Sequence, residues 1–193
     1  MPIRPATPDD HEQIARICLL TGATGLDATG LFSNDQTLAD VYATPYLHGP
    51  GGFALVWDVD GDPRGYVLGT MDTRAFQEWF VEQWWPSRAD RHPPRTDADT
   101  WLIPSATDPE RMLIPRLEEY PAHLHIDLLP DQQGRGAGRD LIEACIAHVT
   151  AAGAPGIHLV AEKANTGAQA FYPRVGFTAI DDNDTVVTFA RPL

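Results

Sequence analysis

Gln133-Gly134-Arg135-Gly136-Ala137-Gly138 lies between an apolar run, Leu124 to Leu129, and an amphipathic stretch that opens at Ala137. Strand, glycine loop and helix start, in that order, make a place to hold a phosphate. Successive N–H groups converge where no side chain blocks them, and the first helical turn adds positive partial charge. A second segment follows, Asn165-Thr166-Gly167-Ala168-Gln169-Ala170-Phe171-Tyr172, with Gly176-Phe177 behind it. A third feature is Asp127, a carboxylate inside an otherwise apolar strand, which needs partners there. Strand alternation puts it on one side with His123 and His125, with Leu124, Ile126 and Leu128 on the other. Asp127 is then either a base or amine ligand, or a structural hydrogen-bond acceptor. His125 is either a titrating group or a satisfied core histidine.

Together these residues resemble the Gcn5-related N-acetyltransferase (GNAT) family. Its glycine motif, Q/R-x-x-G-x-G/A, is matched by residues 133–138, and its second motif, N-x-x-A-x-x-F/L-Y followed by G-F, by 165–172 and 176–177. The resemblance implies one α/β (α+β) domain over residues 1–193 with the GNAT fold. That fold is a central mixed, mostly antiparallel sheet, splayed between strands 123–129 and 156–162 and flanked by helices. It implies acetyl-coenzyme A (acetyl-CoA) as donor, no metal, and direct transfer of acetyl to an amine, of a small molecule or exposed on a protein.

In that reading the pyrophosphate lies on the N–H groups of Gly134, Arg135, Gly136, Ala137, Gly138 and Arg139, and Gln133 orients the loop. The side chains of Arg135 and Arg139 add charge or are simply solvated. The backbone of Asp127, Leu128 and Leu129 pairs with the pantetheine arm, and the Leu128 N–H grips the thioester oxygen as it gains charge. Asn165 bonds the arm from the other side, or caps a helix. Phe171 and Tyr172 complete the donor-binding set. Tyr172 is the expected general acid, since a phenol of pKa about 10 can protonate a thiolate of basicity about 8.5; the plain alternative is a packed aromatic. Asp127 is the expected base, with Glu118 or Glu119 acting through water as rivals. Glu162 ranks low, because it falls on the strand face opposite Ala161. Neither Cys18 nor Cys145 is expected near the reactive ends of the two motifs, which disfavours a covalent acetyl-enzyme.

A closer resemblance is to the acetyltransferase-like C-terminal domain of O-GlcNAcases and its free-standing bacterial relatives. It rests on Ile3-Arg4-Pro5 with the helix ending in Cys18, on residues 65–72 running into Phe76 and Trp84-Trp85-Pro86, and on Tyr120-Pro121 to Asp127. The animal version of that domain looks like a pseudo-acetyltransferase with a degraded coenzyme loop. The chain departs from it in keeping the intact glycine pattern. The alternative function is therefore a non-catalytic acyl-CoA-binding module.

The elements that must position these groups follow from pattern. A net charge of −13 over 193 residues disfavours nucleic acid and anionic membrane as partners. It favours a cationic acceptor or simply keeps the chain soluble; the expected acceptor is a small-molecule or cationic amine, and the expected assembly a monomer or homodimer. Two cysteines on apolar helix faces, no metal-ligand spacing and no apolar leader point to the cytoplasm. An edge strand at Ile3–Ala6 precedes a helix capped at Thr7, and Gly22–Phe32 forms a loop with a flexible acceptor segment at Gly25–Gly30. A short helix spans Gln36–Leu47, and a hairpin is turned by Asp58–Pro63. Residues at about 73–120 read as an aromatic and proline-rich insertion. It has a helix through Trp84-Trp85, a loop over Ser87–Ser105 and a helix over Asp108–Glu119. Trp79, Phe80, Trp84, Trp85 and Trp101 are set either to roof the acceptor site or to form insertion core. A helix from Thr166 to Val175 and a closing hairpin complete the chain.

Overall fold

The computed structural model describes residues 2–193. Its strands are β1 (Ile3–Pro5), β2 (Gly52–Val59), β3 (Asp62–Thr70), β4 (Ala122–Leu128), β5 (Gly156–Glu162), β6 (Thr178–Asp182) and β7 (Val186–Pro192). They form one seven-stranded sheet in the order β1-β2-β3-β4-β5-β7-β6. Every neighbouring pair is antiparallel except β4 and β5. That parallel pair is joined only at Ala122↔Ile157 and His123↔His158. Beyond His123, β4 follows β3 as far as Leu128 and β5 follows β7 as far as Glu162. Each strand keeps its own antiparallel partner, and sheet twist carries the two apart. The expected splay is present, and it opens a gap in the middle of the sheet.

The two sheet faces carry separate cores. Alternation along β3 sends Tyr66 and Leu68 to one and Val67 to the other. The first core takes α1 (His11–Thr21), α2 (Thr37–Tyr42) and α3 (Thr73–Trp79), which runs on as a π-helical turn over Phe80–Trp84. It also takes α4 (Asp97–Ser105). The second takes α5 (Ala137–Ala151), whose Leu141, Ile142, Cys145 and Val149 form one buried stripe, and α6 (Thr166–Phe171).

The entry to α1 is built from its sequence. The Thr7 N–H donates to Asp10 Oδ2 over 2.6 Å, and Arg4 closes a fork on the same carboxylate at 2.7 and 2.8 Å. Arg4 thereby holds Asp10 well below the usual carboxylate range.

Three local expectations are corrected. Ser87–Ser105 is not all loop, because α4 occupies Asp97–Ser105. Thr96 and Asp99 form a reciprocal capping box, and the buried Asp99 carboxylate also accepts from Arg95 N at 2.9 Å. Pro104 sits in the last turn, where a missing N–H breaks little of the ladder. Asp108–Glu119 forms turns rather than a helix: Pro109 and Pro115 remove donors and Arg116 is left-handed at φ 63°. The β2–β3 turn is tighter than Asp58–Pro63, with Asp60 and Gly61 both at positive φ. That is the geometry a two-residue hairpin turn requires.

Candidate active site

The glycine loop is open and its donors are free. Gly134 and Gly136 sit at φ 71° and 94°, and a Cβ at either would meet nothing within 4 Å. Glycine is needed there for the backbone conformation. Gly136 is the N-cap of α5. Among the described residues, none of the N–H groups from Gly134 to Arg139 donates to a protein acceptor; the ladder begins with Asp140 N to Gly136 O at 3.1 Å. Gln133 Nε2 bonds Leu128 O at 2.9 Å, tying the loop to the end of β4. Gly138 serves packing: a Cβ there would lie 3.4 Å from both Leu128 and Phe171.

The parity of the β3–β4 ladder fixes where strand donors point. Leu129 N bonds Arg64 O at 2.9 Å, toward β3. In an antiparallel ladder the next residue points the other way, so the Leu128 N–H faces the gap beside β5. Leu129 is therefore corrected as a strand-pairing donor, since its N–H is taken and its side chain is buried in the first core.

On the face of the sheet packed by α1, two cavities of about 240 and 310 Å³ meet. They share Tyr42, His125, Val160 and Glu162 as common walls. The smaller one brings Asp127, Asn165 and Tyr172 together. Tyr172 is buried among Phe171, Phe177 and Phe189, and burial, with the Asp127 carboxylate as second cause, pushes its phenol well up. Asn165 caps α6, its Oδ1 accepting from Ala168 N at 3.0 Å. Oδ1 is engaged in the cap, while Nδ2 remains a donor.

Asp127 accepts from the Tyr66 hydroxyl at 2.6 Å. Burial raises its pKa above that of a free carboxylate, and the hydroxyls of Tyr66 and Thr21 pull only part of the way back. The structural hydrogen bond weighed for Asp127 is thus real, and its donor is a tyrosine on β3.

The histidines beside it are wired together. Thr73 Oγ1 gives its proton to Pro121 O at 2.7 Å, so it accepts from His123 Nδ1 at 2.8 Å. Burial holds His123 neutral, so its Nε2 accepts the Tyr46 hydroxyl proton at 2.7 Å. Tyr46 must then accept from His125 Nε2 at 2.9 Å. The chain of donors leaves His125 Nδ1 as a bare lone pair on a ring that lines both cavities. Burial and the nearby Arg111 charge lower His125 to about 3, and burial lowers His158 to about 4.

Two further site expectations change, for Cys18 and Glu162, and two open alternatives resolve, for the insertion aromatics and Arg139. Cys18 lies on the cavity wall with Asp127 and Tyr172, although its place in the sequence suggested distance. Burial raises its thiol far above a reactive range, so it remains an inert group. Glu162 shares the histidine face and bonds Thr24 Oγ1 at 2.8 Å across the cavity mouth. The face opposite Ala161 is the one that holds Asp127, and this reverses its low rank. Of the five insertion aromatics only Trp101 lines the cleft; Phe80, Trp84 and Trp85 are buried core and Trp79 packs against it. The Arg139 side chain turns away to Arg174 O at 3.1 Å, leaving only its backbone N–H at the loop. Arg135 is exposed there.

Sequence reasoning missed Tyr42, Thr24, Val160 and Arg111, which line the cleft from separate elements. The period-two pattern of β5 carried the signal for Val160. No local pattern marks the other three.

Residues 106–177 match the family model of the acetyltransferase (GNAT) family. The crystal structure of SsHAT is similar at 40% identity and TM-score 0.89, covering 98% of this chain and 96% of that one. An N-acetyltransferase from Staphylococcus aureus Mu50 (17% identity, TM-score 0.64, 97% and 98% covered) shares the fold. So does a GCN5-related N-acetyltransferase from Kribbella flavida (17%, 0.60, 99% and 96%). The chain belongs to the GNAT family of acetyltransferases.

Proposed function

We propose that the protein is an acetyl-CoA-dependent N-acetyltransferase that passes acetyl directly to an amine. The observation that carries this is the run of six unpaired N–H groups, Gly134 to Arg139, beside a sheet gap whose wall bears Tyr172. Left-handed glycines and a helix start with free donors suit a diphosphate. The Leu128 N–H suits a thioester oxygen, and Asn165 Nδ2 suits an amide of an extended arm. The residues thus fit acetyl-CoA, which supplies a thioester-activated acetyl group. No cluster of metal-ligating side chains occurs among the described residues, and the reading uses none.

Within it, the Leu128 N–H donates to the acetyl oxygen, and the bare Nδ1 of His125 accepts from the incoming amine and aims its lone pair. A ring held near pKa 3 is a weak base, so the amine proton goes to Asp127, whose pKa burial raises. Tyr172 gives its proton to the leaving thiolate. Cys18 plays no covalent part.

The finer kinship with the O-GlcNAcase C-terminal domain rests on the residues quoted for it, Trp84-Trp85-Pro86 among them. The amine acceptor, a cytoplasmic address and a monomer or homodimer belong to the same proposal. The test is thiol release from acetyl-CoA across a broad amine panel. Amine-dependent release, with acetylated product by mass spectrometry, is expected. Tight donor binding with no transfer to any amine would favour the binding-module alternative.

A further inference from the structure

Three arginines converge on an open groove of about 620 Å³ beside the first turn of α5. They are Arg139 on α5, Arg174 in the 3₁₀ turn Tyr172–Val175 that continues α6, and Arg191 on β7. Glu143, the carboxylate on the groove wall, makes only a long contact to Arg139 at 3.9 Å. Neither Arg174 nor Arg191 joins an ion pair among the described residues. The chain has 14 lysines and arginines against 27 carboxylates, so three cations facing one weakly engaged carboxylate run against its overall charge.

Two of the guanidiniums are held in place and keep donors to spare. Arg139 Nη2 donates to Arg174 O at 3.1 Å and Arg191 Nη1 to Val175 O at 2.8 Å, satisfying the last carbonyls of the turn. The Arg191 guanidinium lies against Gly176, where a Cβ would come 3.2 Å from Nη1. Arg191 Nε and Nη2 have no protein partner, and solvent reaches them, because the sealed unpartnered side-chain donors among the described residues are all on Arg111. Arg174 is exposed, and only its carbonyl is held by Arg139. The carbonyl contacts account for one N–H each on Arg139 and Arg191 and leave the Arg174 side chain without a structural use. What remains is a set of free guanidinium edges, the geometry that matches phosphate oxygens.

The position of the groove relative to the glycine loop identifies its ligand. Arg139 gives the loop its last free N–H from the backbone and gives the groove a wall from its side chain. Along α6 and its continuation lie three stations. Asn165 caps the start beside the cleft, Phe171 packs on Gly138 at the loop, and Arg174 reaches the groove. A ligand with its arm at Asn165 and its diphosphate on the loop brings its far end to Arg174. In coenzyme A (CoA) that end is a ribose with a 3′-phosphate, one sugar away from the diphosphate. A phosphate monoester carries a charge of about −1.5 to −2 at pH 7, which a cluster of guanidiniums complements.

We propose that Arg139, Arg174 and Arg191 hold the 3′-phosphate of the coenzyme. The groove then selects CoA over thioesters whose arm ends without that group, 3′-dephospho-CoA among them. This role rests on the acetyl-CoA reading of the loop and adds a group of the donor that the loop does not address.

Calorimetry of CoA and of 3′-dephospho-CoA on wild type, Arg174→Gln and the double variant Arg174→Gln/Arg191→Gln tests it. Wild type should bind CoA about fivefold or more tightly than 3′-dephospho-CoA, a preference that shrinks with added salt. Arg174→Gln should cut that ratio by about half or more, and the double variant should bring the two ligands within about twofold. Affinity for 3′-dephospho-CoA should stay within about twofold of wild type in both variants. Arg174 is exposed and joins no ion pair among the described residues, so its single variant holds the test open should the double variant not fold. A smaller ratio in wild type overturns the proposal, as does a ratio that survives Arg174→Gln. A parallel loss of 3′-dephospho-CoA affinity in the variants overturns it too, by assigning the arginines to the diphosphate. Equal affinity of wild type for the two ligands removes the groove alone; no binding of either removes the loop reading along with it.

Discussion

Asp127 and His125 stand one strand step apart, two residues on the same face, and burial drives them in opposite directions. Desolvation disfavours whichever form is charged, so it raises the carboxylate and lowers the imidazole. In the proposed reaction the carboxylate is the better base and the ring a fixed acceptor, which divides deprotonation from positioning. Asp127→Asn keeps an acceptor for Tyr66 and removes the base. It is expected to flatten the rise of kcat/KM with pH through the raised Asp127 pKa; an unchanged pH–rate profile would end that role. Tyr172→Phe keeps the aromatic packing against Phe177 and Phe189 and removes one proton. A drop in kcat of about 10²-fold or more at unchanged acetyl-CoA affinity is expected, and undiminished turnover would return Tyr172 to a packing role. The residues of the two motifs, and the shared face of His123, His125 and Asp127, were legible because spacing and alternation are local. Arg111 and Thr24 were not, since nothing near them in sequence says that they meet β5 across a cleft.

At the scale of elements, β4 and β5 carry an acid-sensitive device. Three imidazoles on these strands, His123, His125 and His158, have folded-state pKa values depressed below about 6.5, the unfolded value. A group with a depressed folded pKa leaves the unfolded chain binding more protons between the two values, so stability rises with pH across that window. The contribution is complete above about pH 6.5 and is lost as pH falls toward the folded values of about 3 to 4. Carboxylates such as Asp10, lowered by Arg4, act the same way only below about pH 4. The melting temperature should therefore fall between pH 6.5 and 4, and His158→Gln should make that fall shallower; a slope identical to wild type would refute the assignment. The strands and α5 were readable from period and glycine placement. The segment after α3 was not: α4 announces itself only through Thr96 and Asp99, three residues apart amid prolines. The apparent helix over Asp108–Glu119 fails because Pro109 and Pro115 outweigh a favourable composition.

For the whole molecule, the proposed function depends on a sheet that fails to close. The two halves, β1 to β4 and β5 to β7, each hold together by antiparallel ladders and share only two parallel register pairs. The gap exposes the Leu128 N–H and sets the glycine loop beside it, while α1, β4, β5 and α6 together wall the cleft on one face. The GNAT fold and the splay were implied by the two motifs together. The cleft was not, because its walls come from segments up to about 140 residues apart, such as Thr24 and Glu162. With a net charge of −13, the free N–H groups from Gly134 to Arg139 are a local exception to a repulsive field for anions.

That exception is the centre of the account, and one titration addresses it. Calorimetry of acetyl-CoA binding to wild type and to Gly136→Val, with thermal melts alongside, separates the loop from the rest of the fold. The account predicts saturable one-to-one binding to wild type. Binding should weaken at least tenfold in the variant, where a β-branched residue is forced to φ 94°, while the melt remains cooperative. No binding to wild type, or equal affinity in the two proteins, would contradict it.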